Sequence, residues 1–209
     1  MTARFVVFEG GEAAGKSTQA ARLAARLGAV LTREPGGTAV GAAIRGLLLD
    51  PANAGFDDRA EALLMAADRA QHVAEVVRPA LAAGRHVVSD RYVGSSLAYQ
   101  GYGRGLPLDE VRRLSAWATG GLGPDVVVLL DVPRHAATVR IDARPDRMEA
   151  AGDAFHQRVA DGYHALAAAE PDRWVVVDGT PEPEVVEAAV WAAVTARVPA
   201  LAKAAPVRP

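Results

Sequence analysis

Eight residues near the start of the chain, Gly10-Gly11-Glu12-Ala13-Ala14-Gly15-Lys16-Ser17, satisfy the spacing G-x-x-x-x-G-K-[ST]. An apolar run precedes them and an alanine-rich segment follows, so a strand feeds a tight turn and then a helix. Small residues let the main chain wrap a phosphate closely, successive N–H groups point inward, and the helix start adds partial positive charge. Lys16 is expected to reach the β and γ phosphates of a nucleotide, with Thr18 following on the same turn. The Ser17 hydroxyl suits Mg²⁺, which prefers oxygen ligands. The loop specifies a nucleotide and leaves its fate open, since switches and motors carry it too.

The remaining chain alternates short apolar runs with long alanine-rich segments. Arg4–Glu9, Ala29–Arg33, His86–Asp90, Val126–Asp131 and Trp174–Asp178 are the expected strands. Val126-Val127-Val128-Leu129-Leu130 shows no alternation, as strands of a parallel sheet covered on both faces require. Helices are expected over Lys16–Leu27, Thr38–Leu49, Asp58–Ala83, Leu108–Thr119, Arg134–Ala143, Gly152–Ala169 and Pro183–Arg197. The fold class is therefore α/β, a doubly wound five-stranded parallel sheet of the P-loop NTP hydrolase type. Residues 1–199 read as one domain, and 200–209, with two prolines and no aromatic residue, read as a flexible tail.

A net charge of -2, from 23 Lys+Arg against 25 Asp+Glu, argues against a surface built for nucleic acid. The absence of cysteine removes disulfides and thiol chemistry and fits a reducing compartment. Neither a signal-peptide pattern nor a membrane-length apolar run is visible, so a cytoplasmic protein without membrane contact is expected.

From Phe8 to about Arg158 the sequence resembles thymidylate kinases. Four motifs in family order carry the resemblance: Phe8-Glu9-Gly10-Gly11-Glu12 continuing to Gly15-Lys16-Ser17-Thr18, then Thr32-Arg33-Glu34-Pro35-Gly36-Gly37-Thr38, then Asp90-Arg91-Tyr92 continuing to Ala98-Tyr99-Gln100-Gly101, and Asp146-Arg147-Met148-Glu149. The resemblance implies transfer of the γ-phosphate of ATP to dTMP with Mg²⁺, by a homodimer built on long helices such as 58–83. It implies that Arg45, Arg69 and Arg91 grip the acceptor phosphate, for which planar guanidinium groups are suited. It also implies that Ser95, Ser96 and Gln100 read the base, that Tyr99 crowds the sugar's 2′ face, and that Glu12 approaches its 3′-hydroxyl. Asp90, at a strand end, is expected to organise Mg²⁺, its waters or Arg91. Asp131, at another strand end, is read as structural.

No residue among Gly11, Glu12, Ala13 and Ala14 is basic, whereas Arg140, Arg144 and Arg147 cluster downstream. That resembles the bacterial arrangement, in which arginines of a mobile lid, here around 140–150, stabilise the charge that spreads over the transferring phosphoryl group. Glu149 is a further candidate for acceptor or metal. Two departures stand out: Met65 occupies the position where relatives stack a phenylalanine on thymine, and the lid is about a residue shorter. Another P-loop kinase of nucleoside monophosphates or small metabolites, or a non-catalytic switch, remains open. A guanine-reading Asn-Lys-x-Asp motif is impossible, because the single asparagine is Asn53 in a loop.

Overall fold

The computed structural model describes residues 2–53, 55–133, 136 and 146–203. The β-branched runs form strands β1 (Phe5–Glu9), β2 (Val30–Arg33), β3 (Val87–Asp90), β4 (Val126–Asp131) and β5 (Trp174–Asp178). They lie in the order β2-β3-β1-β4-β5, and every neighbouring pair is parallel. Helices are α1 (Lys16–Leu27), α2 (Ala39–Leu49), α3 (Asp58–His72), α4 (Arg78–Ala82), α5 (Val93–Ser96), α6 (Leu108–Thr119), α7 (Asp153–Ala169) and α8 (Pro183–Arg197).

Alternate side chains of a strand leave opposite faces of the sheet, and here each face gains its own core. Phe5 and Val7 pack with Val73, Val77, Val111, Phe155 and Tyr163. Val6 and Phe8 pack with Leu23 and Leu27 of α1 and with Val186, Val190 and Val194 of α8. Strand β1 connects outward past β3 to β2, whereas β3 connects back past β1 to β4. These central neighbours thus send their connections to opposite faces, and the crevice at their carboxyl ends is where open α/β sheets bind ligands.

Three expectations need correction. The helix expected over 58–83 is interrupted by a π-helical turn at Val73–Val77, where Arg78 N donates to Val73 O. Pro79 follows and has no N–H to offer, so the register slips by one residue there. The segment after Tyr92, assigned no element from sequence, is helical through α5 and a π-helical stretch at Leu97–Gly103. Its glycines are poor helix formers, but they permit close packing: a Cβ on Gly101 would meet Leu108 at 2.5 Å, and one on Gly103 would meet Phe155 at 2.6 Å. The expected tail begins as a 3₁₀ turn, Pro199–Lys203, because Leu201 is 0% exposed and joins the α1/α8 core. The helix expected over 134–143 lies outside the described residues except for Ala136.

Candidate active site

The phosphate loop needs backbone that side chains would forbid. Gly10 has φ 144°, and a Cβ there would stand 2.6 Å from Leu130 O, so the loop rests directly against β4. Gly15 (φ 87°) turns the chain into α1, and Ala13 takes φ 54° between them. Lys16 Nζ donates to Gly11 O, curling back over the loop it follows. Glu12, Ala13, Ala14, Gly15, Lys16, Ser17 and Thr18 of the loop and the start of α1 line a cavity closed on its other side by Arg33, Glu34, Arg45, Asp90 and Arg91.

Burial, then the Arg91 charge, bring the Lys16 ammonium down to about 8, against the pull of Glu12 and Asp90. Burial alone would raise Glu12, yet Arg91, Lys16 and the Tyr99 hydroxyl outweigh it and take the carboxyl to about 2. Arg91 Nη2 donates to Glu12 Oε1 at 2.7 Å, and Tyr99 OH donates to the same oxygen at 2.7 Å. Arg91 adopts φ 70°, an uncommon conformation for a residue with a Cβ. Its Nη1 also donates to Gly10 O, Ser95 Oγ and Tyr163 OH.

Ser17 Oγ donates to Asp90 Oδ2 at 2.5 Å, while Asp90 Oδ1 is buried without a hydrogen-bond partner among the described residues. A hydroxyl and an unsatisfied carboxylate oxygen side by side fit a hard divalent cation.

A second cavity adjoins the first. Leu49, Met65, Tyr92 and Met148 give it apolar walls, and Arg69, Ser95, Ser96, Tyr99 and Gln100 give it polar ones. The two cavities share Glu12, Glu34, Arg45 and Arg91. Arg45 has one hydrogen bond among the described residues, to Pro35 O, and burial and then Arg33 lower its pKa. A guanidinium with no carboxylate on it is available to an anion.

Arg69 is held more firmly. Its Nε donates to Glu34 Oε2 at 2.8 Å and its Nη2 donates to Tyr92 O and Ser96 Oγ, with side chains of Arg69 and Glu34 only 2% and 3% exposed. His72 Nδ1 donates to the other Glu34 oxygen, and Thr32 Oγ1 lies 2.7 Å from His72 Nε2. The Glu-Pro-Gly-Gly-Thr run is thus tied to α3. Gln100 Nε2 donates to Glu61 Oε1, which orients the amide toward the cavity wall.

Two expected site residues are engaged by other groups of the protein. Arg147 is 8% exposed, its Nη2 is 2.6 Å from Glu61 Oε2, and its Nε donates to Leu48 O. Glu149 Oε2 accepts from Asp146 N while Asp146 Oδ1 accepts from Glu149 N, a reciprocal capping box that occupies the carboxylate locally. Neither lines either cavity. Arg140 and Arg144 lie outside the described residues. Asp131 stands 3.3 Å from His164, apart from the Asp90 position.

Sequence reasoning missed Glu9, Glu61, Arg33 and Tyr163. Glu9 is fully buried at the end of β1 and accepts from four donors around Arg91. A carboxylate closing an otherwise apolar strand was the visible signal. Glu61 and Tyr163 carry no local signal, since their partners come from distant segments.

Comparison with known proteins agrees with this geometry. The family profile described as Thymidylate kinase matches residues 8–190. A thymidylate kinase of Solidesulfovibrio magneticus is 52% identical over 205 residues, covering 91% of this chain and 98% of the relative. One of Bifidobacterium longum is 51% identical, covering 97% of this chain and 100% of its own. The crystal structure of thymidylate kinase from Ehrlichia chaffeensis superposes with TM-score 0.78 at 29% identity, covering 93% of this chain and all of that one. With a phosphate loop beside a second, apolar-walled cavity and with these relatives, the chain belongs to the thymidylate kinase family.

Proposed function

We propose that the protein transfers the γ-phosphate of ATP to dTMP, giving ADP and dTDP. The observation that carries this reading is the shared wall: a cavity lined by the phosphate loop meets one with apolar sides at Arg45 and Arg91. ATP phosphates occupy the loop and Lys16, and the acceptor phosphate takes Arg45 and Arg91. The base lies between Met65, Leu49, Met148 and Tyr92, with Ser96 and Gln100 at its polar edge; Arg69, expected on the acceptor phosphate, is tied to Glu34 and joins that polar edge instead. Glu12, fixed as an anion by Arg91 and Tyr99, faces the sugar.

The acceptor phosphate is already anionic, so no general base is required, and catalysis consists of alignment and charge stabilisation. Lys16 and the loop amides hold the donor end while Arg45 and Arg91 hold the attacking oxygen in line with it. Ser17 and Asp90 would hold Mg²⁺, which when bound neutralises charge on the β and γ phosphate oxygens. The resemblance assigns further cations to Arg140 and Arg144, which lie outside the described residues, whereas Arg147 braces the second cavity through Glu61.

A third cavity, between Ala13–Gly15, Thr18 and Gln19 on one side and Gly179–Pro183 on the other, suits the adenosine of ATP. No helix among the described residues is long and apolar enough to cross a membrane, and a cytoplasmic site of action fits. Val40, Leu47 and Leu63 lie 52%, 51% and 58% exposed on the packed pair α2 and α3, a face suited to homodimer contact. Sedimentation of the purified protein checks that assembly, a monomer at micromolar concentration counting against it.

The function is tested by a coupled assay with ATP and a panel of nucleoside monophosphates. Preference for dTMP is expected; comparable turnover of several non-thymine acceptors would reject the reading.

A further inference from the structure

Glu9 lines neither cavity, yet it is the most enclosed carboxylate beside the site. It ends β1, is 0% exposed, and directly precedes the phosphate loop. Its Oε1 accepts from Tyr92 N and Ser95 N, both at 3.0 Å. These amides open α5, a helix that has no side-chain cap of its own. Its Oε2 accepts from Ser95 Oγ at 2.6 Å and from Tyr163 OH at 3.1 Å. The fit is close enough that a Cβ on Gly94 would stand 2.7 Å from Oε1.

The same two hydroxyls accept from Arg91 Nη1, at 3.1 Å and 3.2 Å. Ser95 Oγ and Tyr163 OH also lie 2.9 Å apart, within reach of one another's single proton; in the arrangement with both protons on Glu9, both oxygens present lone pairs to the guanidinium. We propose that Glu9 is a positioning residue for phosphoryl transfer, polarising Ser95 and Tyr163 so that both accept from Arg91 and aim its guanidinium at the acceptor phosphate. Glu12 holds the other guanidinium nitrogen, so Arg91 is fixed from two sides in a backbone conformation it would not adopt alone.

An amide at position 9 reverses the relay. Its oxygen satisfies the α5 amides, its NH₂ then donates to the hydroxyls, and their protons turn toward Arg91, where donor meets donor. The inference rests on the dTMP phosphorylation proposed above, so wild-type turnover is measured first. Should dTMP fail as acceptor, that reading falls, and the variants are scored with the acceptor the panel identifies.

Glu9→Gln is expected to lower kcat ~10- to 100-fold, as loss of an orienting outer partner does, with KM for ATP nearly unchanged. The discriminating measurement repeats the substitution in a Ser95→Ala, Tyr163→Phe background. There the relay is already absent, and Glu9→Gln is expected to cost less than about threefold more. Equal losses in both backgrounds, or full turnover in Glu9→Gln alone, overturn the proposal. If Glu9→Gln does not fold, Ser95→Ala and Tyr163→Phe carry the test. Each is expected to lower kcat several-fold while melting close to wild type, and an undiminished kcat in the double variant overturns the proposal.

Discussion

Replacing Arg147 by methionine separates a brace from a catalytic cation. The guanidinium stands 2.6 Å from Glu61 Oε2, donates to Leu48 O at 2.7 Å and lies 5.1 Å from the centre of the Phe56 ring. Glu61 is itself 1% exposed, so deleting its partner leaves a buried carboxylate with fewer cations. Breaking a buried pair costs about 3–5 kcal/mol, and here the lower end applies because Arg104 and Gln100 still donate to Glu61. For a chain of this length ~3 kcal/mol corresponds to a Tm lower by roughly 6–12 °C. Thermal melts monitored by circular dichroism, paired with kcat measured well below the transition, provide the assay. The expected result is a lower Tm with kcat within about threefold of wild type and a modest rise in KM for dTMP through Gln100. An unchanged Tm with a hundredfold fall in kcat would refute this reasoning and return Arg147 to the transferring phosphate.

Other outcomes follow from the same geometry. Burial, followed by Arg91, holds Lys16 at about 8 in the ligand-free protein, and bound triphosphate favours its charged form. ATP binding at pH 8 should therefore take up a fraction of a proton, seen by calorimetry in buffers of different ionisation enthalpy and lost in Lys16→Arg. No uptake in the wild type would contradict it. The linked stability term has a definite sign: the folded pKa is below the unfolded 10.5, so this group's destabilisation is full below pH 8 and relieved as pH rises from 8 to 10.5. Tyr99→Phe keeps the ring and should preserve the preference for deoxy over ribo acceptors, whereas Tyr99→Ala should narrow it; an unchanged kcat/KM ratio in the alanine variant argues against crowding of the 2′ face. Met65→Phe should lower KM for dTMP about two- to tenfold by adding a stacking face, and a sharp rise in KM would dismiss that role.

The sheet was legible because buried parallel strands have a plain signature: Val126–Asp131 is five apolar residues and an acid, and it forms β4. The phosphate loop was legible because its glycines and lysine are contiguous. What escaped depends on partners far along the chain. Glu61 and Arg104 are 43 positions apart, and Glu9 and Tyr163 are 154 apart, so no local pattern marks either pair. Arg147 looked like a lid cation because of neighbouring arginines, whereas its environment is set by Glu61 on α3 and Leu48 on α2. The helical stretch after Tyr92 was hidden for a different reason: its glycines argue against a helix locally and for one only once Leu108 and Phe155 press on it.

Binding of a single molecule in which adenosine and thymidine are joined through a chain of five phosphates asks most directly whether both nucleotides meet head to head. If the phosphate loop and the Arg45/Arg91 wall face one another, this compound competes with ATP and with dTMP and binds far more tightly than either alone. Competition with only one of them, at the affinity of that nucleotide by itself, would mean that the two cavities do not form one continuous site.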